Sequence, residues 1–332
     1  MATISLCMIV KNEENVLSRC LDSIYDLVDE IIIVDTGSTD STKDIAYKYT
    51  NNVYDFEWID DFSAARNFSF SKCSMEYIYV ADADEYLDDA NRYQFKLLKD
   101  NIFSEIEIVQ MMYETISHDT VLNIKKEYRP KLFKRLREFT WINPVHETVR
   151  LDPLVFDSDI VVTHAPESNH ASRDFSIFEK TILEEGALSM TLQTMYAKEL
   201  YKNGSKEDFN RALNYFSNID NEYGVIIKVK CLRLNEDPSF EDFAHKFRHI
   251  SEVCFELGEF YLSRKDYDSA YRLYEEALNG ECYVDIHVIG DITFKKLIEC
   301  CEILSKQNDS YLVLINKYKQ LLDEWQMPEE HL

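Results

Sequence analysis

The chain has 332 residues, enough for two domains. Its 61 acidic residues against 36 basic ones leave a net charge of −25, and no basic stripe is present, which excludes broad contact with a nucleic acid backbone. No charged leader, long apolar run or lipidation signal appears, and eight cysteines without a Cys-x-x-Cys pair read as reduced packing residues; a soluble, cytoplasmic protein with no transmembrane segment is expected.

The first apolar run, residues 3–10, predicts a strand that ends in Lys11-Asn12-Glu13-Glu14. A helix should follow, with Val16, Cys20, Leu21 and Ile24 on one face. Residues 30–34 form a short β-branched run, a strand buried on both faces, and it ends in Asp35-Thr36-Gly37-Ser38-Thr39-Asp40. Gly37 permits a tight turn, and Ser38, Thr39 and Asp40 can cap the helix that continues through residues 44–49. A third apolar run, Tyr77-Ile78-Tyr79-Val80-Ala81, opens directly onto Asp82-Ala83-Asp84-Glu85. Alternating strands and helices predict an α/β fold with a mostly parallel sheet, whose ligands bind at the carboxyl ends of the strands.

Two carboxylates one residue apart on a strand-ending turn can aim oxygens at a hard cation, Mn²⁺ or Mg²⁺, that keeps positions for phosphate oxygens. Asp82 and Asp84 are therefore candidate metal ligands. The same spacing recurs at Asp157/Asp159 and Asp266/Asp268, so the strand context carries the weight. Arg66 suits bidentate contact with phosphate, the alternative being a helix-surface ion pair with Asp61. Further on, Arg129-Pro130-Lys131-Leu132-Phe133-Lys134-Arg135 is a basic stretch in an acidic protein, followed by Trp141-Ile142-Asn143-Pro144-Val145-His146-Glu147. His146 is a candidate ligand of the metal or diphosphate, and Glu147 a candidate general base. His164 ends the apolar run 160–163 and reads equally as part of this set or as a structural histidine.

Of seven glycines only Gly37 precedes residue 186, which excludes a Gly-x-Gly-x-x-Gly turn and a P-loop from the α/β half. Near residues 165–170 the pattern changes to helical periodicity, giving expected domains at 1–168 and 169–332. In the second, Leu257, Gly258, Tyr261, Ala270, Tyr274 and Ala277 fall at tetratricopeptide spacing, with a weaker echo at 212–216. Its role is open between a stabilising cap and an acceptor-binding or homodimer-forming surface.

The series Cys7–Glu13, Val34–Asp40, Asp61–Asn67 and Ala81–Glu85 resembles glycosyltransferase family two, with the GT-A fold, over about the first half of the chain. The resemblance implies an inverting enzyme that uses a nucleotide-diphosphate sugar and a divalent metal. It places Val10, Asn12, Glu13, Asp35, Ser38, Arg66 and Asn67 along the donor, with Asp82, Arg129 and Lys134 on the same side. Asp82 and Asp84, joined by His146, would hold the metal, and Asp84, His146 and Glu147 would act in catalysis. Many members carry two consecutive Asp residues where this chain has Asp35-Thr36, which leaves the identity of the base less defined. With a tetratricopeptide-like tail, the chain resembles bacterial flagellin and bacteriocin-peptide glycosyltransferases. That implies transfer of GlcNAc or Glc from a UDP-sugar to a Ser, Thr or Cys side chain of a protein or peptide. A lipopolysaccharide or cell-envelope glycan acceptor is the alternative, and a degenerate, non-catalytic repeat scaffold is the alternative of another class.

Overall fold

The computed structural model describes residues 1–116, 125–135, 141–149, 153–166 and 171–327. Their contacts divide them into two compact units, one within residues 1–166 and one within 171–327.

The first unit is built on a mixed sheet. Its strands are β1 Ile4–Val10, β2 Glu30–Asp35, β3 Val53–Asp55, β4 Tyr77–Val80, β5 Glu85–Tyr86, β6 Ile108–Thr115, β7 Lys126–Lys134 and, after the small β8 Trp141–Ile142 and β9 Thr148–Val149 ribbon, β10 Val155–His164. The order across the sheet is β3-β2-β1-β4-β7-β6-β10-β5. β2, β1 and β4 run parallel, as their apolar runs predict; the short edge strand β3 is parallel to β2, and β10 is parallel to β6. β7 is antiparallel to both of its neighbours, and β5 to β10.

The α/β expectation therefore holds, and the parallel half has the simplest physical cause. Side chains of β1 alternate between two cores: Ile4, Leu6, Met8 and Val10 enter one, and Cys7 joins Ile32, Val34, Ile78 and Val80 in the other. A strand covered on both faces is almost continuously apolar. The helices α1 Leu17–Ile24, α2 Thr42–Ala46, α3 Phe62–Lys72 and α4 Asp89–Asn101 complete this unit. α1 buries Leu17, Cys20, Leu21 and Ile24, the stripe expected of an amphipathic helix.

These directions bring many chain ends to one edge of the sheet. The carboxyl ends of β1, β2, β4, β6 and β10 lie there, together with the amino end of β7. The turn after β2 uses Gly37 at φ +99°, a region that L side chains rarely adopt.

The second unit is all helical: α5 Ala171–Glu185, α6 Met190–Asn203, α7 Lys206–Phe216, α8 Glu222–Leu234, α9 Phe240–Ala244, α10 Ser251–Ser263, α11 Tyr267–Ala277, α12 Asp291–Leu304 and α13 Ser310–Glu324. The tetratricopeptide-like stretch is the pair α10 and α11, which pack together. Ala270, Tyr274 and Ala277 are wholly buried there, so Tyr274 is repeat core; its hydroxyl donates to Glu259 at 2.5 Å. Gly258 is the small residue that admits the ring, since a Cβ added to it would stand 2.5 Å from Tyr274. Gly258→Ala is expected to destabilise the protein by about 1–3 kcal/mol through overpacking. Alanine returns ~1 kcal/mol of that in helix propensity, which leaves a net loss of up to ~2 kcal/mol. A lowered urea midpoint by circular dichroism, at unchanged slope, is the check.

Candidate active site

The turn after β4 sorts its side chains by the strand's own alternation. Tyr77, Ile78, Tyr79 and Val80 are buried, then Ala81, Ala83 and Glu85 continue inward while Asp82 and Asp84 keep contact with solvent. Glu85 lies beneath the turn, 1% exposed, and receives the buried Lys131 ammonium from β7. Its other oxygen accepts the Asp82 amide at 3.2 Å. Burial pushes the Glu85 carboxyl above its ordinary pKa, although Lys131 pulls the other way. The last residue of the motif is thus a buried brace for the carboxylate turn.

Arg66 stands beside that turn. Asp61 caps α3 by accepting the Ala64 amide at 3.0 Å, so it is not the partner of Arg66. Arg66 is only 3% exposed, and its Nη2 reaches Asp82 Oδ1 at 3.3 Å and Glu147 Oε1 at 2.9 Å. Its guanidinium also lies 5.3 Å from the Trp141 ring centre. Nε and Nη1 of Arg66 are buried without a hydrogen-bond partner. Desolvation favours the neutral form of Asp82, but the charges of Arg66 and then Lys131 outweigh it and hold the carboxyl down at about 2. A permanent cation thus ties the candidate metal ligand to the candidate base, residues 65 positions apart in the chain.

Asp84 has a different companion. Its Oδ2 lies 3.0 Å from His164 Nε2, and its carbonyl accepts the Ala165 amide at 3.0 Å and an Arg19 N–H at 3.3 Å. The His164 ring is stacked on Tyr113 with centroids 5.2 Å apart, and Arg129 lies 3.7 Å from the centre of that same Tyr113 ring. His164 is thus held against Asp84, although its place in the sequence left it open. Tyr113 lay in no stretch that the sequence singled out, and Lys131 read only as one charge of a basic stretch. Register is what assigns them.

At the ends of β1 and β2 a loop pair forms a polar cradle. Asp35 is 2% exposed; its Oδ2 accepts the Gly37 amide at 3.1 Å and the Ser38 amide at 3.0 Å, while Oδ1 has no partner. The Asn12 amide donates to Ser38 Oγ at 2.9 Å, and Asn12 Oδ1 accepts the Thr39 amide at 2.8 Å. The Glu13 amide donates to Thr42 Oγ1 at 2.7 Å, and Val10 offers its carbonyl to the Thr36 amide. An orphaned carboxylate oxygen in an otherwise satisfied cradle is suited to a donor group such as a ribose hydroxyl or base N–H.

Of the expected site residues, Lys134 and Asn67 are placed elsewhere or used differently. Lys134 pairs in register with Tyr77, five residues before Asp82, and donates to the Ser104 carbonyl. At a rise of about 3.3 Å per residue that is the far end of the sheet, and the structure does not bring it to the cluster. Asn67 turns its amide to the Trp141 backbone, accepting at 3.0 Å and donating at 3.3 Å, and so fixes β8. His146 occupies the loop between β8 and β9 at φ +46°. Among the described residues no three His, Cys, Asp or Glu side chains form a group that could hold a metal ion. Asp82 and Asp84 together are a two-carboxylate set. It fits Mn²⁺ or Mg²⁺ as a partial site, because such ions take oxygen ligands and leave positions to phosphates and water.

Comparison with known proteins joins this geometry to a family. Residues 5–147, which hold the cradle, Arg66, the acidic turn and Glu147, match the model of Glycosyl transferase family 2. This stretch is a glycosyl transferase family 2 domain. A TPR repeat-containing protein of Synechococcus elongatus is 35% identical over 161 residues, 45% of this chain and 36% of that protein. The SPbeta prophage-derived glycosyltransferase SunS of Bacillus subtilis is 30% identical over 165 residues, 48% of this chain and 36% of its own length. The chain therefore spans about a third of these relatives' length. Among solved structures, residues 1–349 of Staphylococcus aureus TarS align over 86% of this chain and 94% of theirs, at 14% identity and a TM-score of 0.40. No described helix is long and apolar enough to cross a membrane.

Proposed function

We propose that this chain transfers a sugar, GlcNAc or Glc, from a UDP-sugar to a Ser, Thr or Cys side chain of a protein or peptide, with inversion at the anomeric carbon. The observation that carries this reading is the chain of contacts Asp82–Arg66–Glu147 within the family 2 domain. It joins a site for leaving-group charge to a carboxylate able to accept a proton. Asp35 and the 10–13 and 35–38 loops receive the nucleoside. Mn²⁺ or Mg²⁺ held by Asp82 and Asp84 would supply Lewis-acid stabilisation of the departing diphosphate. Arg66 contributes a fixed positive charge beside the same diphosphate. Glu147 removes the acceptor proton as the acceptor attacks from the opposite face. The helical unit, whose α10 and α11 pair carries the tetratricopeptide-like spacing, takes the role of choosing the acceptor.

The test is release of UDP from UDP-GlcNAc and UDP-Glc, with Mn²⁺ and with EDTA, followed by mass spectrometry of a peptide library containing Ser, Thr and Cys. The expected result is metal-dependent UDP release and a gain of one sugar on a side chain. Absence of UDP release from any UDP-sugar would overturn the donor, and EDTA-insensitive release would overturn the role of the two carboxylates.

A further inference from the structure

At the other end of the sheet from the acidic turn, α4, the turn of residues 102–107 and the start of β10 line an open, mostly apolar cavity of about 380 Å³. Leu97, Ile102, Phe103, Ile106, Phe156 and Ile160 line it. Two of these rings are held out in water, Phe103 at 76% exposure and Phe156 at 44%. Leu154 and Val155, which precede Phe156, are also exposed.

The turn that carries Phe103 is not loose. Its carbonyl accepts the Ile106 amide at 3.1 Å, the Ile106 carbonyl accepts the Tyr77 hydroxyl at 2.8 Å, and Lys134 donates to the Ser104 carbonyl. An apolar side chain held outward on a pinned turn, over a preformed apolar cavity, marks an interaction site. The setting is acidic on balance: Asp159 lines the cavity, and the exposed Asp100 and Glu105 adjoin lining residues, against the exposed Lys96 on α4 and the Lys134 ammonium at the Ser104 carbonyl.

We propose that this face docks a cationic segment of another protein, one that inserts an aromatic or branched aliphatic side chain between Phe103 and Phe156 and sets Lys or Arg against Asp100, Glu105 and Asp159. Charge selects this occupant. A second copy would bring the same acidic border, within a chain of net charge −25, against itself. An anionic bilayer would be repelled likewise. The surface lies about seven strand residues, or ~23 Å, from the carboxyl end of β6, so it acts apart from the proposed transfer chemistry.

The experiment is selection of a displayed random peptide library on the whole chain, with counter-selection on the Phe103→Ser/Phe156→Ser variant. Circular dichroism and a thermal melt establish that the variant is folded. Enriched peptides should combine an apolar anchor with flanking Lys or Arg, bind the variant at least about tenfold more weakly, and weaken further with salt. Asp159→Asn, which leaves the apolar lining intact, should weaken them too. Absence of enrichment, or a consensus without basic residues, overturns the proposal. So does sedimentation showing self-association that Phe103→Ser abolishes, which makes a second copy the occupant, and so does flotation with anionic vesicles, which makes it a bilayer.

Discussion

Replacing Asp82 or Asp84 by Asn is expected to reduce sugar transfer by about 10²–10³-fold, the scale on which preorganised stabilisation of developing charge is lost. Asn keeps the shape of each side chain and an acceptor oxygen, but not the charge. Asp84→Asn can still accept from His164 Nε2, now 3.0 Å from the carboxylate, and Asp82→Asn can still accept from Arg66, whose second partner Glu147 remains. The fold should therefore persist. The Asp82 side chain is 48% exposed, and neither change opens a cavity in the apolar core. Activity is measured beside a thermal melt and Mn²⁺ titration by calorimetry. Both variants should melt within a few degrees of the parent and lose the heat of metal binding. Unaltered transfer in Mn²⁺ by both variants would remove these carboxylates from the mechanism.

Part of this site was legible because it follows from short-range rules. Residues 30–34 read as a doubly covered strand and 77–81 as a buried apolar one, and polar turns after such strands had to gather at one edge of a parallel sheet. That reasoning placed Asp35, Asp82 and Asp84 without any long-range information. It could not place the residues that reach the site through register. β7 inserts antiparallel between β4 and β6, and nothing in residues 126–134 states which neighbour each end will meet. Lys131 and Lys134 are three residues apart in one basic stretch; one is buried against Glu85, and the other binds Ser104 at the far end. His164 meets Asp84 across 80 residues of sequence, and Asn67 meets Trp141 across 74. Such pairings are decided by the packing of the whole sheet, and a charge pattern reads the same before and after that decision.

Glu147→Gln is expected to lower turnover by about 10²-fold, the usual worth of a general base, with donor affinity nearly unchanged. Its Oε1 accepts from Arg66 Nη2 at 2.9 Å, and a glutamine oxygen can accept the same bond, so the variant removes basicity while holding position. Arg66→Met is the complementary change. It leaves Asp82 and Glu147 facing one another without the buried cation between them, so stability should fall toward the low end of the ~3–5 kcal/mol typical of a broken buried pair, because Asp82 is partly solvated. Turnover should fall as well, since the same guanidinium fixes the base. Combining the two changes separates the roles: with Gln at position 147 one carboxylate charge is gone, and the further stability loss on removing Arg66 should be smaller than in the parent. Initial rates, UDP-sugar affinity by calorimetry and urea unfolding of the four proteins measure all of this. Weakened donor affinity at unchanged turnover in Glu147→Gln would move Glu147 into the donor pocket, and strict additivity of the unfolding energies would show that the Arg66–Glu147 contact contributes nothing to holding the base.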